Sequence, residues 1–137
     1  MIGLRPVLIA ALFAATLGCG HRSAAKPGAR VCSQPPYYDP REVRIPIRTA
    51  ADVVGSYGIV CADGTTRDDV RIEAGRDGLR YHRHGKSYRA WIDEHGRLRI
   101  ADPSFMGGAL IRRGDRTLLY LDWVYQIAVL DRLPSHK

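Results

Sequence analysis

The stretch "DDVRIEAGRDGLRYHRHGKSYRAWIDEHGRLRI", residues Asp68 to Ile100, carries the fold in its rhythm. Val70, Ile72 and Ala74 alternate with Arg71 and Glu73. Leu79 and Tyr81 alternate with Arg80 and His82, and Tyr88, Ala90 and Ile92 with Arg89 and Trp91. Leu98 and Ile100 alternate with Arg97 and Arg99. A period of two, apolar against polar, is the pattern of antiparallel strands with one face buried. Asp77-Gly78, His84-Gly85 and His95-Gly96 separate the runs. These pairs suit the positive backbone angles of tight hairpin turns.

The pattern extends both ways. Upstream, Tyr57, Ile59 and Cys61 form a strand that ends before Asp63-Gly64. Downstream, after Asp102-Pro103, strands are predicted near Ala109 to Arg112 and Thr117 to Leu121, joined at Gly114-Asp115. The last segment, Asp122 to Leu133, is rich in β-formers. Its Val124, Tyr125, Ala128 and Val129 also fit a helical face, but it reads best as one strand that closes the sheet. Eight or so short strands linked by tight turns make a meander, and closure removes its edges. The expected class is all-β: a small antiparallel up-and-down barrel or strongly curved sheet, preceded by a short helical turn. Thr49 is the cap expected for that turn and Gly55 its end. This turn, followed by Gly55-Ser56-Tyr57, resembles the opening of lipocalin-like barrels, where Gly-x-Trp is usual and Tyr57 here replaces the Trp. The resemblance implies the barrel and, as an alternative function, a carrier of small apolar ligands.

The N-terminus points to export. Arg5 precedes an apolar run from Val7 to Leu17, about eleven residues, the length of a signal-peptide core. That is too short to cross a bilayer as a helix. Leu17-Gly18-Cys19 then resembles the lipobox of bacterial lipoproteins, although Thr16 stands where that family prefers Leu. The resemblance implies removal of residues 1–18 as a signal peptide, and a diacylglyceryl group on Cys19 that anchors the chain in a membrane. The expected location is the cell envelope, on the outer membrane facing the periplasm. The rival cut, after Ser23-Ala24-Ala25, discards Cys19 and leaves a soluble secreted or periplasmic protein. Residues 19–40 read as a tether and an extended arm, with Tyr37 and Tyr38 of "QPPYYDP" expected to pack on the domain. Residues 41–137 form the single domain.

Cys32 and Cys61 survive either cut. In an oxidising compartment such a pair is expected to form a disulfide, stabilising the fold by about 3.6 kcal/mol in the chain-entropy treatment. There is no Cys-x-x-Cys redox motif.

The formal charge is +7, and loss of Arg5 leaves +6. The basic residues are spread along the chain, and 18 of the 21 are Arg. Such a surface fits an acidic protein or a polyanion. Nucleic acid is not expected, and the protein is expected to be monomeric. With the His84-Gly85 turn in place, Arg80 falls opposite Arg89, and Glu73 falls opposite Arg80. Arg80, Arg89, Arg97 and Arg99 then share the outer face with Trp91, and Arg71 joins them. Arg and Trp are enriched at interface centres, so these residues are the expected partner-binding site.

His82 and His84, two apart, would share a face in a strand and could meet His95 at a metal. No Cys or carboxylate stands at metal-site spacing, so a solvated hairpin tip is expected, with no metal and no cofactor. Gly-x-Ser-x-Gly, His-Glu-x-x-His and P-loop motifs are absent, and most acidic residues sit in turns beside Gly. No catalytic residues are expected. The sequence therefore predicts a non-enzymatic, membrane-anchored binding module.

Overall fold

The computed structural model describes residues 31–135. The expected signal peptide, Cys19 and the expected tether as far as residue 30 lie outside the described residues. Nine strands follow in order: β1 (Val43–Ile45), β2 (Gly55–Val60), β3 (Thr66–Gly75), β4 (Gly78–Arg83), β5 (Lys86–Ile92), β6 (Leu98–Ile100), β7 (Phe105–Arg113), β8 (Arg116–Trp123) and β9 (Gln126–Arg132). Each strand from β2 to β9 pairs antiparallel with the next, and β9 pairs back onto β2. The result is a closed eight-strand up-and-down barrel. β1 adds to β7 through Val43↔Arg112 and Ile45↔Leu110, beyond the point where β6 stops at Leu98↔Gly108.

Alternation fills the interior. Tyr57, Val70, Ile72, Leu79, Tyr81, Leu98, Ile100, Leu110, Leu119, Leu121 and Leu130 are buried in one cluster, with Ile59, Tyr88 and Ile92 packed on it. Each such side chain contributes on the order of 1.5–3 kcal/mol by leaving water. Ala74 departs from its run: it lies near the turn end of β3 and is exposed.

The last segment is not one strand. β8 continues through Trp123, Val124 and Tyr125 make a turn, and β9 alone closes the barrel. This turn carries no Gly or Pro, and its two residues are among the most exposed apolar groups of the described residues. Pattern reading had nothing there to break on.

The end of the barrel where β2 begins is plugged by the segment between β1 and β2. Ile47 and Val53 are buried there, and Ala50–Asp52 forms a single 3-10 turn. The Asp52 carboxylate accepts from the backbone N–H of Arg48 at 2.8 Å and of Thr49 at 2.9 Å. These bonds, that from Thr49 foremost, hold its pKa below the ordinary value. Tyr57 Oη donates to the Val53 carbonyl at 2.8 Å. Arg132, at the end of β9, donates to the Asp52 carbonyl and to Tyr57 Oη, and its guanidinium lies over the Tyr57 ring.

Two irregularities shape the rest. Between β2 and β3 the register runs Tyr57↔Val70 and then Gly58↔Asp68, leaving Asp69 as the extra residue of a β-bulge. A bulge re-aims the side chain it carries. The second is the seam between β2 and β9, which share only Tyr57↔Arg132 and Gly58↔Asp131. The arm fills it. Val31 carbonyl accepts from Ala62 N–H at 2.8 Å, and Cys32 is joined to Cys61 by a disulfide. Gln34 Oε1 accepts from Val129 N–H of β9 at 3.3 Å, and Pro36 carbonyl accepts from Arg113 of β7 at 2.5 Å. The arm thus crosses the outside of β9, β8 and β7, where Ile111, Leu118 and Val129 form a second buried cluster. Pro35, between the two anchors, is buried. Tyr37 and Tyr38 do not pack as expected: both are largely exposed. They follow the last anchor, where the chain turns at Pro40-Arg41 toward β1.

Candidate functional site

The outer faces of β4, β5 and β6 carry the predicted residues in the predicted order. Glu73 pairs with Arg80, Arg80 with Arg89, and Trp91 with Arg99. Trp91 is 44% exposed, a large fraction for an indole. Arg97 precedes β6, and its backbone N–H donates to Asp93 Oδ1 at 2.9 Å in the turn below. This bond, ahead of a second from His95, lowers the Asp93 pKa.

Charge compensation on this face is uneven. Glu73 lies opposite Arg80 but turns to its other neighbours, Arg71 at 2.9 Å and His82 at 3.0 Å. Arg71 therefore drops out as a free cation. Among the described residues no carboxylate forms an ion pair with Arg80, Arg89 or Arg99, whereas Asp93, bonded to the Arg97 backbone, lies near enough for the Arg97 charge to lower its pKa. Arg80 and Arg89 face each other with like charge, an arrangement that destabilises a sheet. Three guanidinium groups without an ion pair among the described residues, with Arg97 near Asp93, thus lie along the sheet around one exposed indole.

The face continues into a groove that sequence reasoning missed. Arg99 reaches over Gly107 of β7 and donates from Nη1 to the Met106 carbonyl at 2.5 Å. Gly107 follows a bulge in β7 and has φ +154, and a Cβ there would fall 3.5 Å from Arg99 Nη1. Past it opens a cleft of about 370 Å³ whose lining includes Met106, Ala109, Ile111 and Tyr120. Arg44, Arg97, Glu42 and Asp122 also line it. Met106 is more than half exposed. Burial, then the carboxylates of Asp122 and Glu42, push the Tyr120 phenol up. Gly107-Gly108 inside an apolar run was the one signal of this concavity, since paired glycines in a strand mark a bulge or a close approach.

The histidines do not converge. β4 ends at Arg83, so His82 remains on the outer face beside Glu73 while His84 enters the turn with φ +50. Its Nε2 lies 3.0 Å from Asp69 Oδ1. His95 stands beside Glu94, at 3.4 Å. Among the described residues no three His, Cys, Asp or Glu side chains are grouped to hold a metal.

No protein-family model, curated protein or solved structure matches this chain.

Proposed function

We propose that this protein is an envelope lipoprotein, anchored through Cys19, whose barrel is a non-enzymatic binding module for an acidic protein or polyanion. The observation that carries the reading is Trp91, exposed amid Arg80, Arg89 and Arg99, which have no ion-pair partner among the described residues, with Arg97 beside them. An aromatic anchor ringed by guanidinium groups has the composition of an interface centre. Cations left without intramolecular partners steer acidic partners from a distance. The groove beyond Gly107 extends the surface with apolar area. The anchor rests on the signal-like run and on Leu17-Gly18-Cys19.

The alternative, a carrier of apolar ligands, needs an empty barrel. Tyr57, Leu98, Leu110, Leu119, Leu121 and Leu130 are fully buried and pack together there, which favours binding at the surface.

The test is affinity capture from envelope extract on the purified protein, alongside Trp91→Ala and Arg89→Glu. A partner retained by the wild type and lost from both variants supports the proposal. Equal capture by all three overturns it. For the anchor, palmitate label should be incorporated into the wild type and be absent from Cys19→Ala; label that persists refutes it.

A further inference from the structure

The outer surface of the sheet is bare where β3 turns into β4. Gly75 pairs with Gly78, at positions that continue the outward rows of Glu73 in β3 and Arg80 in β4. Two glycines side by side put no side chain on that face. A Cβ on Gly75 would fall 3.4 Å from the Gly78 carbonyl oxygen and 4.0 Å from Arg80 Cγ, so the stem of Arg80 borders the gap. The result is a hollow of about 470 Å³, bounded by the Arg76-Asp77 turn at one end and by Arg80 and Arg89 beside it.

Its lining is strongly cationic. Arg76 comes from the turn, Arg80 from β4 and Arg89 from β5, and all three are exposed. Among the described residues no side chain of the three makes a hydrogen bond, an ion pair or a ring contact. Glu73, which faces Arg80 in the register, is held by Arg71 and His82 instead. Asp77 supplies the one carboxylate of the lining and pairs with none of the arginines.

This arrangement specifies what fits. Arg80 and Arg89 are direct partners across β4 and β5. Directly opposed positions hold their Cβ atoms about 5 Å apart, so two guanidinium forks that start there close on one small oxyanion from two sides. An anion between them also relieves their mutual repulsion. Arg76 adds a third fork from the turn. Three guanidinium groups against the Asp77 carboxylate leave two positive charges in the hollow. A phosphate monoester carries roughly −1.5 to −2 at neutral pH and has three terminal oxygens, one for each fork. A carboxylate has one charge and two oxygens, and leaves a fork unused.

We infer that the hollow beside the β3–β4 turn clamps a phosphate monoester, with Arg76, Arg80 and Arg89 each serving one terminal oxygen; this rests on the arginine face being a binding surface and names the group it recognises. The same chemistry is available from a soluble phosphate ester or from the head group of a lipid.

Calorimetric titration of the purified protein tests this, with glycerol 3-phosphate as the soluble probe. Dihexanoyl phosphatidic acid, kept below its micellar range, is the lipid arm. Glycerol 3-phosphate should bind one saturable site, with acetate and the diester dimethyl phosphate at least about tenfold weaker. Arg76→Gln and Arg80→Gln change exposed residues, so the fold stands, and each should weaken glycerol 3-phosphate about tenfold. Asp77→Asn keeps a residue pair that suits the turn and should tighten it about threefold, because a like charge leaves the hollow. Tighter binding of the lipid than of glycerol 3-phosphate assigns the clamp to a lipid head group, and equal or weaker binding assigns it to a soluble ester. The inference fails if neither monoester binds, if acetate or dimethyl phosphate matches glycerol 3-phosphate, or if Arg76→Gln and Arg80→Gln bind as the wild type does. Partner capture lost from Trp91→Ala, with no monoester bound, overturns the clamp alone. A monoester bound in the hollow, with capture unchanged in Trp91→Ala, overturns the wider face and leaves the clamp standing.

Discussion

A Cβ atom placed on Gly58 would lie 2.0 Å from the carbonyl oxygen of Arg67 across the β2–β3 bulge. No side chain fits that approach. The backbone crowding that excludes a methyl group at Gly58 accompanies the extra residue, Asp69, that turns its carboxylate toward Arg83.

Gly58→Ala should therefore cost more than a surface substitution, about 2–3 kcal/mol, because main chain must move rather than a flexible side chain. Urea unfolding gives the figure. A loss under about 0.5 kcal/mol would mean the bulge yields easily.

Trp91→Ala separates binding from folding. The indole is exposed, so its melting temperature should stay close to that of the wild type. Capture of a partner should weaken by more than about 2 kcal/mol if the arginine face is used as proposed. Arg89→Glu should act mainly at low salt, since exposed charges are screened within a Debye length. It should also relieve the facing Arg80–Arg89 pair and leave stability equal or slightly raised.

Much of this face was legible in the sequence, and the Asp69–Arg83 contact was not. A period of two and Gly-containing turns between Val70 and Ile100 were enough to place Arg80 opposite Arg89 with Trp91 outside, because turn length sets register. That contact depends on a bulge. One inserted residue moves Asp69 out of alternation, and Asp69-Val70 shows no Gly or Pro to announce it. The C-terminal half hides its alternation for another reason. β8 and β9 are buried on both faces, inside by the core and outside beneath the arm, so "TLLYLDWVYQIAVL" reads as one apolar run. Only the path of the arm explains Leu118 and Val129.

Reduction of Cys32–Cys61 should lower stability by up to about 3.6 kcal/mol, the loop-closure value. It also frees the arm that covers Ile111, Leu118 and Val129. Amide exchange at Val129, whose N–H donates to Gln34, should accelerate on reduction more than exchange at Leu119, whose side chain lies in the sealed core. Equal acceleration at both would show that the strap has no local role.

Stability should fall at both pH extremes, for different groups. Asp52 and Asp93 accept backbone N–H bonds that depress their pKa values. A depressed carboxylate stabilises above its unfolded value of about 3.9, and the contribution is lost as pH falls through the lower native value. The acid limb should therefore lie below about pH 4. Tyr57 and Tyr81 are pushed up, chiefly by burial. Their neutral forms stabilise fully below the unfolded value of about 10, and this is lost as pH rises toward the higher native values. Absorbance at alkaline pH should show these two phenols ionising together with unfolding. Their ionisation within a folded barrel would contradict the burial.

The two-pair seam between β2 and β9 bears on how the chain comes to exist as a barrel. Arg132 meets Tyr57 across 75 positions of sequence, so the first barrel strand waits for the last before the circle can close. A polypeptide shortened anywhere within Gln126–Arg132 would present two bare edges, β2 on one side and β8 on the other. Unpaired edges recruit other strands. Premature termination within β9 should thus yield insoluble protein rather than a slightly weakened domain.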